Sequence, residues 1–292
     1  MGNASGPGTW RDAIALSARY LAEKGVEDAQ TASELLAARL LRCGRGTLAG
    51  RLAEAPRPAH VEAMRRGIAR LAKNEPVQYV LGEWDFRTIT LKTDRRALVP
   101  RPETEGLVER VLKSPCTRLP RPLVVDAGTG TGCIPLALAS EWPAGSDPVF
   151  VGTDVSPEAV ALASENAKAL GLSGRVRFAV ADGLDDFDPE SVDVLVSNPP
   201  YIPSAACDTL PPNVRLFEPR IALDGGPDGL AFYDRYLQDA INILKPGGHV
   251  FFEIGHDQGP ALEKMMNMYG FTEIRVEKDY AGHDRYASAR MA

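Results

Sequence analysis

The sequence predicts an α/β fold: a seven-stranded, mostly parallel sheet with an antiparallel last strand, preceded by a small helical bundle and joined to it by a β-hairpin. Three observations carry this. From Leu123 onward, short apolar runs alternate with helix-like stretches, the pattern of a parallel sheet with right-handed crossovers. The last two apolar runs are separated only by DYAGHD (279–284), too short for a crossover, so they pair antiparallel. Residues 9–73 instead carry apolar faces at helical spacing, punctuated by glycine and proline.

Thr9 reads as the N-cap of a first helix that closes at Gly25, with Trp10, Ile14, Leu16, Ala18 and Leu21 on its apolar side. EDAQTASELLAARLLRCG follows and again ends in glycine; RPAHVEAMRRGIARLAKNEP closes on Pro76. Short helices with short loops make a bundle over residues 1–76. Residues 77–100 are aromatic and β-branched, alternate through Phe86, Ile89 and Leu91, and read as a hairpin linker. Residues 101–292 hold the sheet domain. Its strands are expected at LVVDA, VFVGTDV, VRFAVAD, VDVLVSN, GHVFFEIG, TEIRVEK and RYASARM, with helices near 132–142, 156–170, 230–244 and 257–269. The second of these helices is fully punctuated: Ser156 as N-cap, Pro157 at the first helical position, Gly171 just past the end.

Composition narrows the class. With 44% hydrophobic and 25% charged residues the chain is ordinary for a soluble protein, and no apolar stretch approaches the roughly 18 residues of a membrane span. MGNASGPG has no apolar signal core and reads as a flexible tail; Gly6 stands where a myristoylation pattern needs Ser or Thr. The acceptor pattern Asn3-Ala4-Ser5 has no meaning without secretion. Four scattered cysteines and four scattered histidines argue against a disulfide framework and against a metal site, and fit a cytoplasmic protein. Charge is lopsided: residues 1–122 hold 21 Lys+Arg against 14 Asp+Glu (+7), and residues 123–292 hold 12 against 25 (−13). The acidic half disfavours phosphate-rich ligands, whereas the basic half suits an acidic protein or RNA, or is simply a solvated helical surface.

The chemistry lies in the turns after the strands. VVDAGTGTGC (124–133) runs a strand through Gly128, Gly130 and Gly132 into a helix, which lets a ligand approach the backbone. The spacing differs from the dinucleotide fingerprint GxGxxG, and Asp126 just before the turn suits a cation better than a pyrophosphate. S-adenosylmethionine, with its sulfonium and ammonium, fits that description. Asp154, ending the second strand, can accept from ribose hydroxyls or serve only as a carboxylate ahead of the Ser156 helix start. Asp182, ending the third, can accept from an adenine amino group.

SNPPYI (197–202) ends the fourth strand. Asn198 offers a side-chain carbonyl and Pro199 a main-chain carbonyl that the prolines keep out of the strand ladder. Two acceptors suit one NH₂ group, and Tyr201 can lie against a planar acceptor. The expected substrate is therefore an exocyclic base amino group or a carboxamide.

At this point the sequence resembles the release-factor glutamine methyltransferases (HemK/PrmC type). PVQYVLGEWDF, VPRPETE (99–105), DAGTGTG, SNPPYI, EPRIALDGGPDGL (218–230), EIGHDQG (253–259) and DYAGHDR carry the resemblance over nearly the whole chain. It implies a Rossmann-like methyltransferase sheet. It also implies transfer of a methyl group from S-adenosyl-L-methionine, leaving S-adenosyl-L-homocysteine, to the side-chain nitrogen of the GGQ glutamine of peptide chain release factors. The donor would be held by Gly128, Thr129, Gly130, Thr131 and Gly132, by Asp154 at its ribose, by Asp182 and Gly183 beside its adenine, and by Asn198. Many relatives carry a bulky residue in place of Gly183. Asn198, Pro199, Pro200 and Tyr201 would bind the glutamine amide, with Asn198, Pro199 and Tyr201 at the reacting group. Glu103 and Glu105 read as acids at a helix start and Glu253 as a support behind the donor pocket. The helical bundle would recognise the protein substrate, with no metal, no membrane and no sequence-specific nucleic-acid contact. The alternatives are a ribosomal-protein glutamine methyltransferase, an adenine-N6 DNA methyltransferase, which would want a basic groove beside NPPY, and a non-catalytic nucleoside-binding module.

Overall fold

The computed structural model describes residues 7–292, so residues 1–6 of the expected tail MGNASGPG, with Asn3-Ala4-Ser5, lie outside the described residues. The chain divides into two compact units: residues up to Gly82 with Pro211–Phe217, and Glu83–Leu210 with Glu218–Ala292.

The first unit is helical. The Thr9 hydroxyl accepts from Asp12 N while Asp12 accepts from Thr9 N, a capping box that starts α1 (Trp10–Glu23). α2 (Ala29–Leu41) and α3 (Pro58–Leu71) follow, with an unforeseen 3₁₀ turn at Arg45–Arg51 between them. Trp10, Ile14, Leu21, Leu36, Ile68 and Leu71 form the core. Gly67 lets α3 lie against α2, because a Cβ there would fall 2.4 Å from Leu36 Cδ2. Leu16, expected on the apolar face, is 50% exposed. The hairpin expected from residue 77 begins instead as a helix, α4 (Val77–Leu81). Pro76 opens it, Gly82 closes it at φ +76°, and Val77, Val80 and Leu81 pack on the bundle core, so packing overrides β-branched propensity.

The second unit opens with the hairpin itself, β1 (Glu83–Phe86) antiparallel to β2 (Ile89–Lys92), and then α5 (Pro102–Lys113). The alternation then runs β3 (Leu123–Ala127), α6 (Cys133–Glu141), β4 (Val149–Asp154), α7 (Pro157–Ala169), β5 (Val176–Val180) and β6 (Val192–Ser197). Two short helices, α8 (Ser204–Cys207) and α9 (Pro212–Arg215, grouped with the first unit), precede α10 (Ala231–Ile243). The chain closes with β7 (Leu244–Glu253), α11 (Gly259–Met268), β8 (Thr272–Lys278) and β9 (Asp284–Arg290). Ser156 caps α7 by accepting from Ala159 N at 3.2 Å.

The seven strands lie in the order β5-β4-β3-β6-β7-β9-β8; β9 pairs antiparallel with both β7 and β8, and the other pairs are parallel. Alternation assigns each strand residue to a face. Val124, Val194, Val196 and Phe251 meet Leu107, Leu136 and Leu138 of α5 and α6. Val125, Leu195, Val250 and Phe252 meet Leu237 and Leu262 of α10 and α11. Every residue of β6 is buried, as expected of a central parallel strand. Strand order reverses between β3 and β6, and a crevice forms outside the carboxyl ends of strands at such a switch point.

Candidate active site

A cleft lies at that edge, lined by Gly128 and Gly130 after β3, Asp154 ending β4, Asp182 and Gly183 after β5, and Asn198 after β6. The four turns singled out in the sequence thus converge on one cleft. Val155, Phe232 and Tyr236 supply apolar wall, and Ala97 and Leu98 close another side. None of these five was legible beforehand. Phe232 and Tyr236 stand on α10, where no motif marks them, and only the neighbouring Asp154 marks Val155.

The glycine turn takes the left-handed backbone at Gly128 (φ +73°), Gly130 (φ +56°) and Gly132 (φ +79°). Their tasks differ. Gly128 and Gly130 face the cleft, whereas a Cβ on Gly132 would strike Phe178 at 2.9 Å and Leu136 at 3.1 Å. Gly132 therefore permits close packing of α6 on the sheet. Thr129 and Thr131 are buried and do not line the cleft. Asp154 Oδ2 accepts from Gly130 N and its Oδ1 from Ser156 N, each at 2.9 Å, so one carboxylate ties the glycine turn to the start of α7. Each oxygen keeps a further lone pair for a ligand.

Asp126 is fully buried. Its two oxygens and the Thr129 hydroxyl have no well-formed hydrogen-bond partner among the described residues. Burial pushes the Asp126 carboxyl up to about 8; the nearby Thr129 hydroxyl pulls the other way and the Asp154 charge adds to the rise. A buried acid left without a partner costs stability unless a cation answers it. Asp126 does not line the cleft, so these residues fit a cationic donor through their field from behind the cleft wall and not by contact.

Asp182 is held by Arg235, whose Nη1 donates to Oδ1 at 2.7 Å and whose Nη2 donates to the main-chain oxygen. The guanidinium lies over Gly183, 2.6 Å from where a Cβ would stand, and fills space that a bulky residue would otherwise take.

The acceptor loop is pinned from behind. Ile202 N donates to Leu223 O at 3.0 Å and Gly225 N to Ile202 O at 2.8 Å. Gly225 and Gly229 are required there, since a Cβ would fall 2.7 Å from Pro200 O and 2.3 Å from Tyr201 O. Gln258 Nε2 donates to Tyr201 O and Gly229 O, both at 3.1 Å. Asn198 and Pro200 line the cleft; Pro199 and Tyr201 do not, and Tyr201 packs against the core, where burial raises its hydroxyl to about 12.

Asn198 Nδ2 donates to Thr104 Oγ1 at 3.0 Å, and Thr104 Oγ1 donates to Glu253 Oε2 at 2.7 Å. Glu253 is buried, and burial pushes it up to about 7 against the pull of Thr104 and Arg285. Thr104 escaped the sequence reading because PETE scans as a helix start. Glu103 and Glu105 do lie in the first turn of α5, yet no side chain caps that helix. Glu105 accepts from Arg87 N at 3.0 Å and stitches the hairpin to α5. Arg101 Nη2 sits on both oxygens of buried Glu218, at 2.8 and 2.9 Å, and ties PRPETE to the EPR segment.

A switch-point cleft with a glycine turn, an acidic second-strand end and an asparagine after the fourth strand belongs to the methyltransferases with a Rossmann-like sheet. A methyltransferase-domain family matches residues 123–279, and the PrmC N-terminal domain family matches residues 12–82. Release factor glutamine methyltransferases align along the chain: that of Moorella thermoacetica is 40% identical over 280 residues, covering 95% of this chain and 96% of the relative. That of Cereibacter sphaeroides is 37% identical over 280 residues (96% and 98%). That of Caulobacter vibrioides is 44% identical over 221 residues (75% and 74%). The chain belongs to the release factor glutamine methyltransferase family. Among solved structures, the hMettl16 catalytic domain in complex with MAT2A 3′UTR hairpin 6 superposes with a TM-score of 0.55 at 17% identity, over 77% of this chain and 81% of that one. That likeness is one of fold alone.

Proposed function

We propose that the protein transfers a methyl group from S-adenosylmethionine to the side-chain nitrogen of the GGQ glutamine of peptide chain release factors. The observation that carries this reading is that Asn198 opens onto the same cleft as Gly128, Gly130 and Asp154. Donor and acceptor groups can therefore meet there.

The donor supplies a methyl group on a sulfonium, already a good leaving group. The chain's task is then alignment. Asp154 offers acceptors to the ribose, Asp182 and Gly183 border the adenine, and Asp126 answers the positive charge. An amide nitrogen is a poor nucleophile, because its lone pair is delocalised into the carbonyl. Asn198 Oδ1 accepts one of its N–H bonds; the other is assigned to the main-chain oxygen of Pro199, although the Pro199 residue itself is buried and does not line the cleft; together they aim that lone pair. Proximity of this kind supplies several kcal/mol, up to about 7–11 in ideal cases. The N–H donors strengthen as nitrogen becomes positive, so both carbonyls bind the transition state better than the ground state. No general base is required, since an N-methylated amide cation sheds its proton readily.

The helical unit is assigned the recognition of the release factor, in keeping with the basic character of residues 1–122. The −13 of residues 123–292 favours a protein acceptor over DNA. Among the described residues no helix is long and apolar enough to cross a membrane. With all four cysteines free thiols, a cytoplasmic site of action beside the translation machinery is the reading adopted.

The test is mass spectrometry of a purified release factor incubated with the protein and S-adenosylmethionine. One added methyl group on the GGQ glutamine is expected. An unmodified glutamine, with methylation of a ribosomal protein instead, would overturn the proposal.

A further inference from the structure

Thr104 Oγ1 has one proton, and it goes to Glu253 Oε2 at 2.7 Å. Toward Asn198 it can then present only a lone pair, and the Asn198 group it meets, at 3.0 Å, is the donor Nδ2. The far end of the carboxamide, Oδ1, is left for the cleft that Asn198 lines. A carboxamide is nearly symmetric in shape, so sterics alone do not choose between its two ends. The choice matters, because the reverse orientation would set an NH₂ against the NH₂ of the acceptor.

We propose that Thr104 and Glu253 are positioning residues that fix which end of the Asn198 carboxamide faces the methyl acceptor, and that Glu253 does so as the carboxylate. The inference rests on the glutamine methyltransferase reading and deepens it. An ionised Glu253 only accepts, which forces the Thr104 proton toward it. A protonated Glu253 donates to Thr104, frees the Thr104 proton to bond Asn198 Oδ1, and lets the amide turn over. The chain Glu253–Thr104–Asn198 spans the end of β7, the first turn of α5 and the end of β6, three elements of one sheet domain.

The surroundings make this a pH-sensitive device. Glu253 is faced by Arg101, Glu103 and Thr104 at the start of α5, by Arg285 and Tyr286 of β9, by Tyr201, by Tyr233 of α10 and by Cys133 of α6. Burial puts Glu253 near 7, whereas it carries Tyr201, Tyr286 and Cys133 to about 12 and Tyr233 well above its ordinary range. Of Glu253, Tyr201, Tyr286, Cys133 and Tyr233, Glu253 is therefore the one that changes charge near neutrality. Positioning is present above about 7 and is lost as pH falls through it.

The experiment is single-turnover methyl transfer to a release factor at saturating donor from pH 5.5 to 9 (roughly two pH units either side of a neutral carboxyl), with donor affinity measured separately by calorimetry. The wild-type rate should fall as pH drops through about 7. Thr104→Val should slow transfer about 10- to 100-fold at unchanged donor affinity, the size of effect expected from a small misplacement, and Thr104→Ser should restore most of it. Glu253→Gln, which offers a donor as readily as an acceptor, should be slow throughout and lose the acid limb. A wild-type rate in Thr104→Val, or the same acid limb persisting in Glu253→Gln, overturns the inference. If thermal unfolding shows the Val variant unfolded, the Ser and Gln profiles decide. Failure of the underlying reading is distinguishable: the wild type then methylates no release-factor glutamine at any pH.

Discussion

Asp154 Oδ2 accepts from Gly130 N at 2.9 Å, so the end of the second parallel strand holds the glycine turn that follows the first. The same carboxylate accepts from Ser156 N and lines the cleft. Two readings of Asp154, ligand contact and helix-start carboxylate, are thus served by one side chain. Asp154→Ala should weaken S-adenosylmethionine binding by about 1.5–3 kcal/mol, the range for a hydrogen bond to a charged group. Asp154→Asn, which keeps one acceptor oxygen, should fall between. Calorimetry showing full affinity in a folded Ala variant would remove Asp154 from the site.

Asp126 gives a proton-linked prediction. Without a ligand its carboxyl is protonated below about 8. A bound cation favours the carboxylate, so binding near neutral pH should release a proton from this group. Affinity should rise with pH up to about 8 and flatten above it. Titration calorimetry in buffers of different ionisation enthalpy counts that proton. Asp126→Asn should abolish the release, and an unaltered proton count in that variant would contradict the assignment.

Gly132 and Gly171 separate packing from backbone freedom. Both have positive φ, but a Cβ at Gly171 meets nothing within 4 Å, whereas at Gly132 it strikes Phe178, Leu136 and Ala163. Gly171→Ala should cost about 1–2 kcal/mol for the left-handed conformation alone. Gly132→Ala should cost about 2–4 kcal/mol, because overpacking adds to that strain. Denaturant unfolding measures both, and equal costs would show that the core yields around Gly132.

What could be read from the sequence had a one-dimensional signature. The apolar runs Val124–Ala127 and Val192–Ser197, the Ser156–Pro157 start and the short DYAGHD turn each follow from local rules, and the structure keeps them. The cleft residues Gly128, Asp154, Asp182 and Asn198 were legible because parallel sheets place strand ends together. What escaped depended on partners distant in sequence. Val77–Leu81 is helical because the bundle core takes its apolar face. Thr104 matters through Asn198, 94 residues away, and the Gly183 surface is occupied by Arg235 from α10.

The helical unit should govern recognition and leave the chemistry alone. Residues 83–292, which keep only Pro211–Phe217 of that unit, should bind S-adenosylmethionine with near-normal affinity but methylate a release factor poorly. In the full chain, association with the release factor should slow as salt rises, because charge steering is screened. Stopped-flow association and donor calorimetry check the two halves. Full methylation by residues 83–292 would assign recognition to the sheet domain instead.

The central claim is that the carbonyls of Asn198 and Pro199 grip the reacting NH₂ group, and the most direct measurement is single-turnover transfer by Asn198 variants at saturating donor. Asn198→Ala should reduce the rate roughly 10²–10³-fold, the loss expected on removing one preorganised polar contact to a transition state. Asn198→Asp, which keeps an acceptor oxygen and nearly the same shape, should retain much more activity than the Ala variant. Thermal unfolding should show both variants folded, since Asn198 is a half-buried strand-end residue whose side chain, among the described residues, bonds to Thr104. Near-normal transfer by a well-folded Asn198→Ala protein would mean that NPPY is only a turn, and would contradict the account.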